Sequence, residues 1–205
     1  MRLAIFVRHG QSVTNVKFIE SDDLQGYPLT KHGREQAEKV GMELARINKI
    51  DALYTSPIQR TRETAEIIGK RIEMKPKIDR RLVERRAGRM NNRQYASTEN
   101  LRESALVELL AGFPSGKETL EEMEKRILAF EESIDKKAKV TVAVTHGDTI
   151  KALLANFLKM DELNTFFGFD LLHCSLTIID LEKKKVLAIG SPIVPEEILK
   201  GLNKT

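Results

Sequence analysis

The stretch LAIFVRHGQSVTN, Leu3 to Asn15, decides the fold. An apolar run from Leu3 to Val7 leads straight into Arg8, His9 and Gly10. Arginine and histidine are costly to bury without partners, so their place at a strand end needs a reason. The pattern returns in VTVAVTHGDTI, Val140 to Ile150, where an apolar run stops at Thr145, His146 and Gly147. The two strand ends are expected to meet in space, with their histidines in one active site.

Working outward, strand-like runs alternate with helical patterns. Leu3–Val7 is followed by a short helix near Ser12–Lys17 and a polar loop through Pro28. Thr30 is expected to cap a helix reaching Arg46, on which Ala37, Val40, Leu44 and Ile47 recur at helical spacing. DALYTS is a short strand, and Pro57 is expected to open the next helix, where its missing N–H costs little. The segment 80–116 is less regular, with a helix around Glu99–Leu110. A helix over Glu118–Ser133, the strand Val140–Val144 and a helix over Thr149–Leu158 follow. Strands at Ser175–Leu181 and Lys185–Ile189, joined by the turn at Glu182–Lys184, read as a hairpin. The tail after Pro192 is expected to be peripheral.

This alternation predicts a three-layer α/β/α arrangement with a mostly parallel mixed sheet. The closing hairpin requires one antiparallel strand. No repeat or linker divides the chain, so residues 1–205 read as a single domain, with 80–116 as a lid or specificity segment. In such sheets ligands bind beyond the carboxyl ends of the strands, where His9 and His146 fall.

Composition narrows the function class. The 205 residues are 41% hydrophobic and 31% charged, the balance of a globular domain with a heavily charged surface. No apolar run approaches about 20 residues, so no membrane partner is expected. With Met1 directly ahead of the first strand, no signal peptide is expected either. The single cysteine, Cys174, excludes an internal disulfide and fits a reducing cytoplasm. Its apolar neighbours suggest a small buried residue. A net charge of +4 permits anionic substrates without demanding nucleic acid. RRLVERRAGRMNNR carries arginines at 80, 81, 85, 86, 89 and 93. These read either as a salt-bridged surface or as a rim that draws phosphates toward a cleft.

For a lone histidine a satisfied structural role is the better reading. The repeated strand–polar–His–Gly–helix pattern reverses that preference for His9 and His146. Gly10 would let the backbone approach a ligand, and the helix that follows offers its N–H groups to an anion. Arg60, in TSPIQRTRETAE, falls in the first turn of a helix, where the helix dipole disfavours a cation. An anion in front of it would resolve the conflict, and the arginine fork matches phosphate oxygens. No phosphate-binding Gly-rich loop, dinucleotide fingerprint or metal-ligand spacing is present. His32 and His173 read as structural or surface residues.

Four ordered pieces now stand together: RHG after the first strand, SPIQRTRETA, a mid-chain Glu84 in RLVERRAG, and VTHG. In this order the chain resembles the histidine phosphatase superfamily, the phosphoglycerate mutase-like family, from Leu3 to about Leu181. The resemblance implies that His9 is the nucleophile that becomes phosphohistidine. It implies that Arg8, Arg60 and His146 hold the phosphoryl oxygens and that Glu84 donates the proton. Asn15 matches a phosphate-contacting asparagine, and Gln25–Gly26 resemble the loop beside the pocket. Arg85 and Gly147 complete the expected substrate-binding set. Without the motif, Glu84 would read as a partner for Arg81 or Arg85.

The departures concern substrate identity. Thr14 stands where the family often has tryptophan, the loop Gln25–Pro28 is short, and after Glu84 and Arg85 come Arg86, Ala87 and a single Gly88. The expected activity is a metal-independent phosphomonoesterase acting on small phosphorylated metabolites in the cytoplasm, with no cofactor. The alternatives are a phosphoglycerate mutase primed by 2,3-bisphosphoglycerate and a catalytically idle phospho-ligand-binding regulatory protein. The expected partners are a small-molecule phosphate ester and a second copy of the chain in a homodimer.

Overall fold

The computed structural model describes residues 1–203. The elements run β1 (Leu3–Arg8), α1 (Val13–Val16), β2 (Ile19–Glu20), α2 (Lys31–Leu44), β3 (Ala52–Thr55), α3 (Gln59–Arg71), β4 (Lys77–Ile78), β5 (Arg93–Gln94) and α4 (Thr98–Leu110). They continue with α5 (Leu120–Ser133), β6 (Val140–Thr145), α6 (Gly147–Leu158), α7 (Glu162–Phe167), β7 (Leu176–Asp180), β8 (Lys185–Ser191) and α8 (Glu196–Asn203).

The main sheet has the order β4-β3-β6-β1-β7-β8. β1 lies parallel to β6, β6 to β3, and β3 to β4. β7 alone runs antiparallel, against β1 on one side and β8 on the other. Period-two alternation in β1 splits its side chains between two cores. Leu3, Ile5 and Val7 join Ala37, Val40 and Leu44 of α2 and Ile68 of α3. Ala4 and Phe6 join Ile127 and Phe130 of α5 and Leu153 of α6. The sheet is therefore covered on both faces, which gives the three expected layers.

The register places the site. Val7 stands opposite Val144 and Arg8 opposite Thr145, so β1 and β6 end level. The His9 amide still donates to the Thr145 carbonyl at 3.0 Å, and the two histidines leave the sheet at one edge. Thr55 of β3 is opposite Val144, which brings the start of α3 to the same edge.

Local chemistry explains several boundaries. The Thr30 side chain accepts from the Gly33 amide at 3.0 Å and starts α2. Thr119 and Glu122 form a capping box, so α5 starts at Leu120, past the expected Glu118. Pro57 does not open α3. It precedes the N-cap Ile58, whose extended backbone (ψ 137°) carries the chain into the helix at Gln59. Gly10 is required by packing: a Cβ there would lie 2.4 Å from the Gly33 carbonyl oxygen. The close approach is to α2 rather than to a ligand.

Besides the two-residue edge strand β4, three features depart from the reading of the sequence. β2 and β5 pair as a separate two-stranded ribbon, with Ile19 opposite Gln94, and tie the middle segment to the loop after α1. α7 is too short for periodicity to reveal. The tail after Pro192 is not peripheral through Asn203: Val194, Ile198 and Leu199 are buried in the core shared with α2 and β1. That tail is amphipathic, and a tail with one apolar face gains stability by covering the sheet.

Candidate active site

His9 is 2% exposed, directly after β1. Its Nδ1 lies 2.8 Å from the Gly10 carbonyl oxygen. A carbonyl can only accept, so Nδ1 carries the proton and Nε2 keeps a lone pair. Arg60 Nε donates to that Nε2 at 3.3 Å. Burial, then the Arg60 and Arg8 cations, hold the imidazole well below its usual pKa. His9 is thus a neutral ring whose unprotonated Nε2 accepts a single, long hydrogen bond from Arg60.

Arg60 is buried on the first turn of α3. Nη2 donates to the Ser21 carbonyl at 3.0 Å, while Nη1 is buried without a hydrogen-bond partner. Arg8 donates from Nη1 to the Leu171 carbonyl, and its Nε is likewise buried and unpartnered. Gly147 opens α6 beside it; a Cβ there would sit 3.4 Å from Arg8 Nε. Unpaired buried donors are rare in folded proteins because each costs its desolvation energy. Two of them beside His9, at the N-terminus of α6, make a cradle for an anion.

His146 is the N-cap of α6 and has no exposed surface. Its Nε2 lies 3.0 Å from Ser56 Oγ, and its ring meets His9 edge-on with centroids 5.2 Å apart. Burial and Arg60 keep it neutral, so its 3.6 Å approach to Glu84 Oε2 is not an ion pair. Glu84 accepts from the Arg85 amide at 3.0 Å and keeps 21% of its side-chain surface. Burial of the remainder, then the Asp148 carboxylate, push its pKa up to about 7 against the pull of Arg60. Glu84 is therefore not spent on Arg81, which forks onto Asp79.

Arg8, His9, Arg60 and Glu84 line a cavity of about 490 Å³ that also takes in Asn15, Arg85 and Gly147, while His146 is buried behind its wall. Asn15 Oδ1 accepts from the Ser12 amide and hydroxyl, leaving its NH2 group as the free donor. Arg85 is stacked between Phe113 and Phe166, 4.5 and 4.0 Å from the ring centroids. Its Nε donates to the Glu118 carbonyl at 2.6 Å and its Nη2 has no hydrogen-bond partner. Gln25 and Gly26 do not line this cavity; Gly26 N donates instead to Gln59 Oε1 at 3.0 Å, outside it.

The arginine-rich segment divides residue by residue. Arg81 and Arg86 make surface ion pairs, with Asp79 and Glu122, while Arg85 enters the cavity. The segment 80–116 also contributes Thr98, Leu101 and Ala105 of α4 to the cavity wall.

Other lining residues escaped the sequence reading. Lys151 lies one turn after Gly147 on α6, a spacing that could have flagged it; its Nζ donates to the Phe166 carbonyl at 2.8 Å. Lys117 pairs with Glu20 and carries no sequence signal. His173, read as structural or surface, lines the cavity with its ring 5.8 Å from that of His9. Cys174 is buried, as expected, and burial raises its thiol to about 12, which removes it as a nucleophile.

Ligand-type atoms of His9, Glu84 and His146 lie within 4.8 Å of one another. Two guanidiniums share the space, so the field there favours an anion over a metal cation. Among the described residues no helix is long and apolar enough to cross a membrane.

A family model described as the histidine phosphatase superfamily (branch 1) matches residues 4–189. A 2,3-bisphosphoglycerate-dependent phosphoglycerate mutase of Thermoplasma acidophilum is 34% identical over 99% of both chains. Among solved structures, Bacillus stearothermophilus YhfR superposes with a TM-score of 0.77 at 24% identity, covering 95% of this chain and 98% of its own. A mycobacterial glucosyl-3-phosphoglycerate phosphatase superposes with a TM-score of 0.72 at 23% identity, covering 88% and 93%. The chain belongs to the histidine phosphatase superfamily, whose members are phosphoryl-transfer enzymes, phosphatases or mutases.

Proposed function

We propose that this chain is a metal-independent phosphomonoesterase of the cytoplasm that works through a phosphohistidine at His9 on small phosphorylated metabolites. One observation carries the reading. His9 Nδ1 is tied to the Gly10 carbonyl while Nε2 faces the Arg60 guanidinium. The lone pair on Nε2 attacks phosphorus, the bond to the ester oxygen breaks, and Glu84 gives that oxygen its proton. Water then attacks the phosphohistidine, passes a proton back to Glu84, and the N–P bond breaks to release phosphate. The Gly10 carbonyl stabilises the charge that the ring acquires, and Arg8, Arg60 and the α6 N-terminus stabilise the phosphoryl oxygens. Glu84, with a pKa near 7, can serve as acid and then as base.

Hydrolysis is favoured over internal transfer by the cover. α4 has no buried residue, so it does not seal the cavity against water. The mutase reading has support of its own: a full-length relative bears that name, and Arg85 and Lys151 supply cations beyond the phosphate cradle. These cations suit an ester with a second anionic group in either case.

The deciding experiment supplies 3-phosphoglycerate with a 2,3-bisphosphoglycerate primer and follows free phosphate and 2-phosphoglycerate separately. Phosphate release should outpace isomerisation. Rapid primer-dependent isomerisation with little phosphate would establish the mutase. No turnover across a panel of phosphate esters would leave a ligand-binding protein.

A further inference from the structure

His173 reaches the site because β7 runs against β1. Val7 stands opposite Leu176, so the residues just before β7 return to the exit of β1. The Cys174 amide donates to the Arg8 carbonyl at 2.9 Å, and Arg8 N donates to the Ser175 carbonyl at 3.2 Å. Cys174 itself adopts φ +57°, a left-handed conformation that a cysteine rarely takes. Backbone strain of this kind persists where the surroundings over-determine it, commonly beside a functional group.

The strained link presents the His173 ring edge-on to His9, with centroids 5.8 Å apart and planes at 72°. His173 Nε2 is shielded from solvent and has no hydrogen-bond partner. Arg8 Nε and Arg60 Nη1, in the same cavity, share that condition. With His146 Nδ1, also unpartnered, four orphaned nitrogens surround one nucleophile, and a group rich in acceptors best satisfies those that face the cavity. Burial and the neighbouring Arg8 cation hold the His173 ring neutral, with a pKa near 3, so it brings one N–H and no charge.

We infer that His173 is a third histidine of the site, a phosphate-binding residue that donates from Nε2 to an oxygen of the bound phosphoryl group. The inference rests on the proposed function, since it takes the cavity beside His9 to hold phosphate. It adds a contact that depends on β7 rather than on the RHG and VTHG strand ends.

The test uses the full chain labelled with ¹⁵N-histidine and titrated with inorganic phosphate. Phosphate should move the Nε2 resonance of His173, assigned with His173→Gln. His173→Phe keeps a ring against His9 and removes the donor; it should bind phosphate about tenfold more weakly with its melting temperature nearly unchanged. His173→Gln, which can donate, should recover part of the loss. An unmoved His173 resonance at saturating phosphate, wild-type affinity in His173→Phe, or no phosphate binding by the wild type overturns the inference. Acid-labile phosphate on His9 is scored separately in the wild type, where its absence overturns the phosphohistidine instead.

Discussion

Arg60 Nε lies 3.3 Å from His9 Nε2 and donates to it. On the proposed mechanism phosphorus approaches His9 Nε2 in place of this hydrogen bond, so Arg60 is both the resting partner of the proposed nucleophile and a candidate for the charge that develops during transfer. Arg60→Lys keeps the cation and loses the fork. We expect the rate on p-nitrophenyl phosphate to fall about 10²-fold, with protein that still melts cooperatively. A near-normal rate would reduce Arg60 to a packing residue.

His9→Ala should abolish turnover and phosphate labelling. Wild-type labelling should be lost in acid and stable in alkali, as a phosphoramidate requires. The readout is incorporation of labelled phosphate, with residual activity of the alanine variant as the contrary result.

Glu84 sets the pH dependence. With its pKa raised to about 7, the proton needed by the leaving group is lost as the pH climbs through that value. For alkyl phosphates kcat/KM should decline above about pH 7, and this limb should vanish in Glu84→Gln along with most of the rate. p-Nitrophenyl phosphate, whose leaving group is already a stable anion, should lose much less. Equal losses with both substrates would assign Glu84 a structural role.

The same shift makes a stability statement. A carboxyl whose folded pKa is raised contributes stability below its unfolded value, and that contribution is lost as pH rises through the folded value. At pH 8 the wild type therefore carries a buried carboxylate that Glu84→Gln lacks. The variant should be the more stable there, by on the order of 3 kcal/mol. The gap should close toward pH 4. Thermal melts at the two pH values measure it.

Gly10→Ala should destabilise the fold through a backbone clash. The added methyl would lie 2.4 Å from a backbone oxygen of Gly33, and backbone cannot swing aside as a side chain can. Overpacking of this kind costs about 1–3 kcal/mol, readable as a lower melting temperature.

Chelators should leave activity intact, because Arg8 and Arg60 occupy the space around the His9–Glu84–His146 group. Activity lost in EDTA and restored by a divalent ion would contradict the metal-free mechanism.

The sequence by itself determined the alternation of elements, the two strand–His–Gly exits and the place of Arg60 at a helix start. These are local signals: apolar period, capping chemistry and the cost of polar groups at the end of a buried run. Glu84 was legible through its motif alone. Its geometry next to His146, and the burial that raises its pKa, required the folded chain. Only the tertiary structure decided that Arg85 leaves the surface for a slot between Phe113 and Phe166, and that Gln25 and Gly26 stay outside the cavity. It also placed Lys117 and His173 in the wall and folded the tail onto the core. The reason is the sequence separation of the partners. His173 meets His9 because an antiparallel strand docks on β1 and the Cys174 amide, just ahead of that strand, reaches the Arg8 carbonyl. No periodicity within either segment encodes that contact; it is set by sheet register and by the packing of both faces.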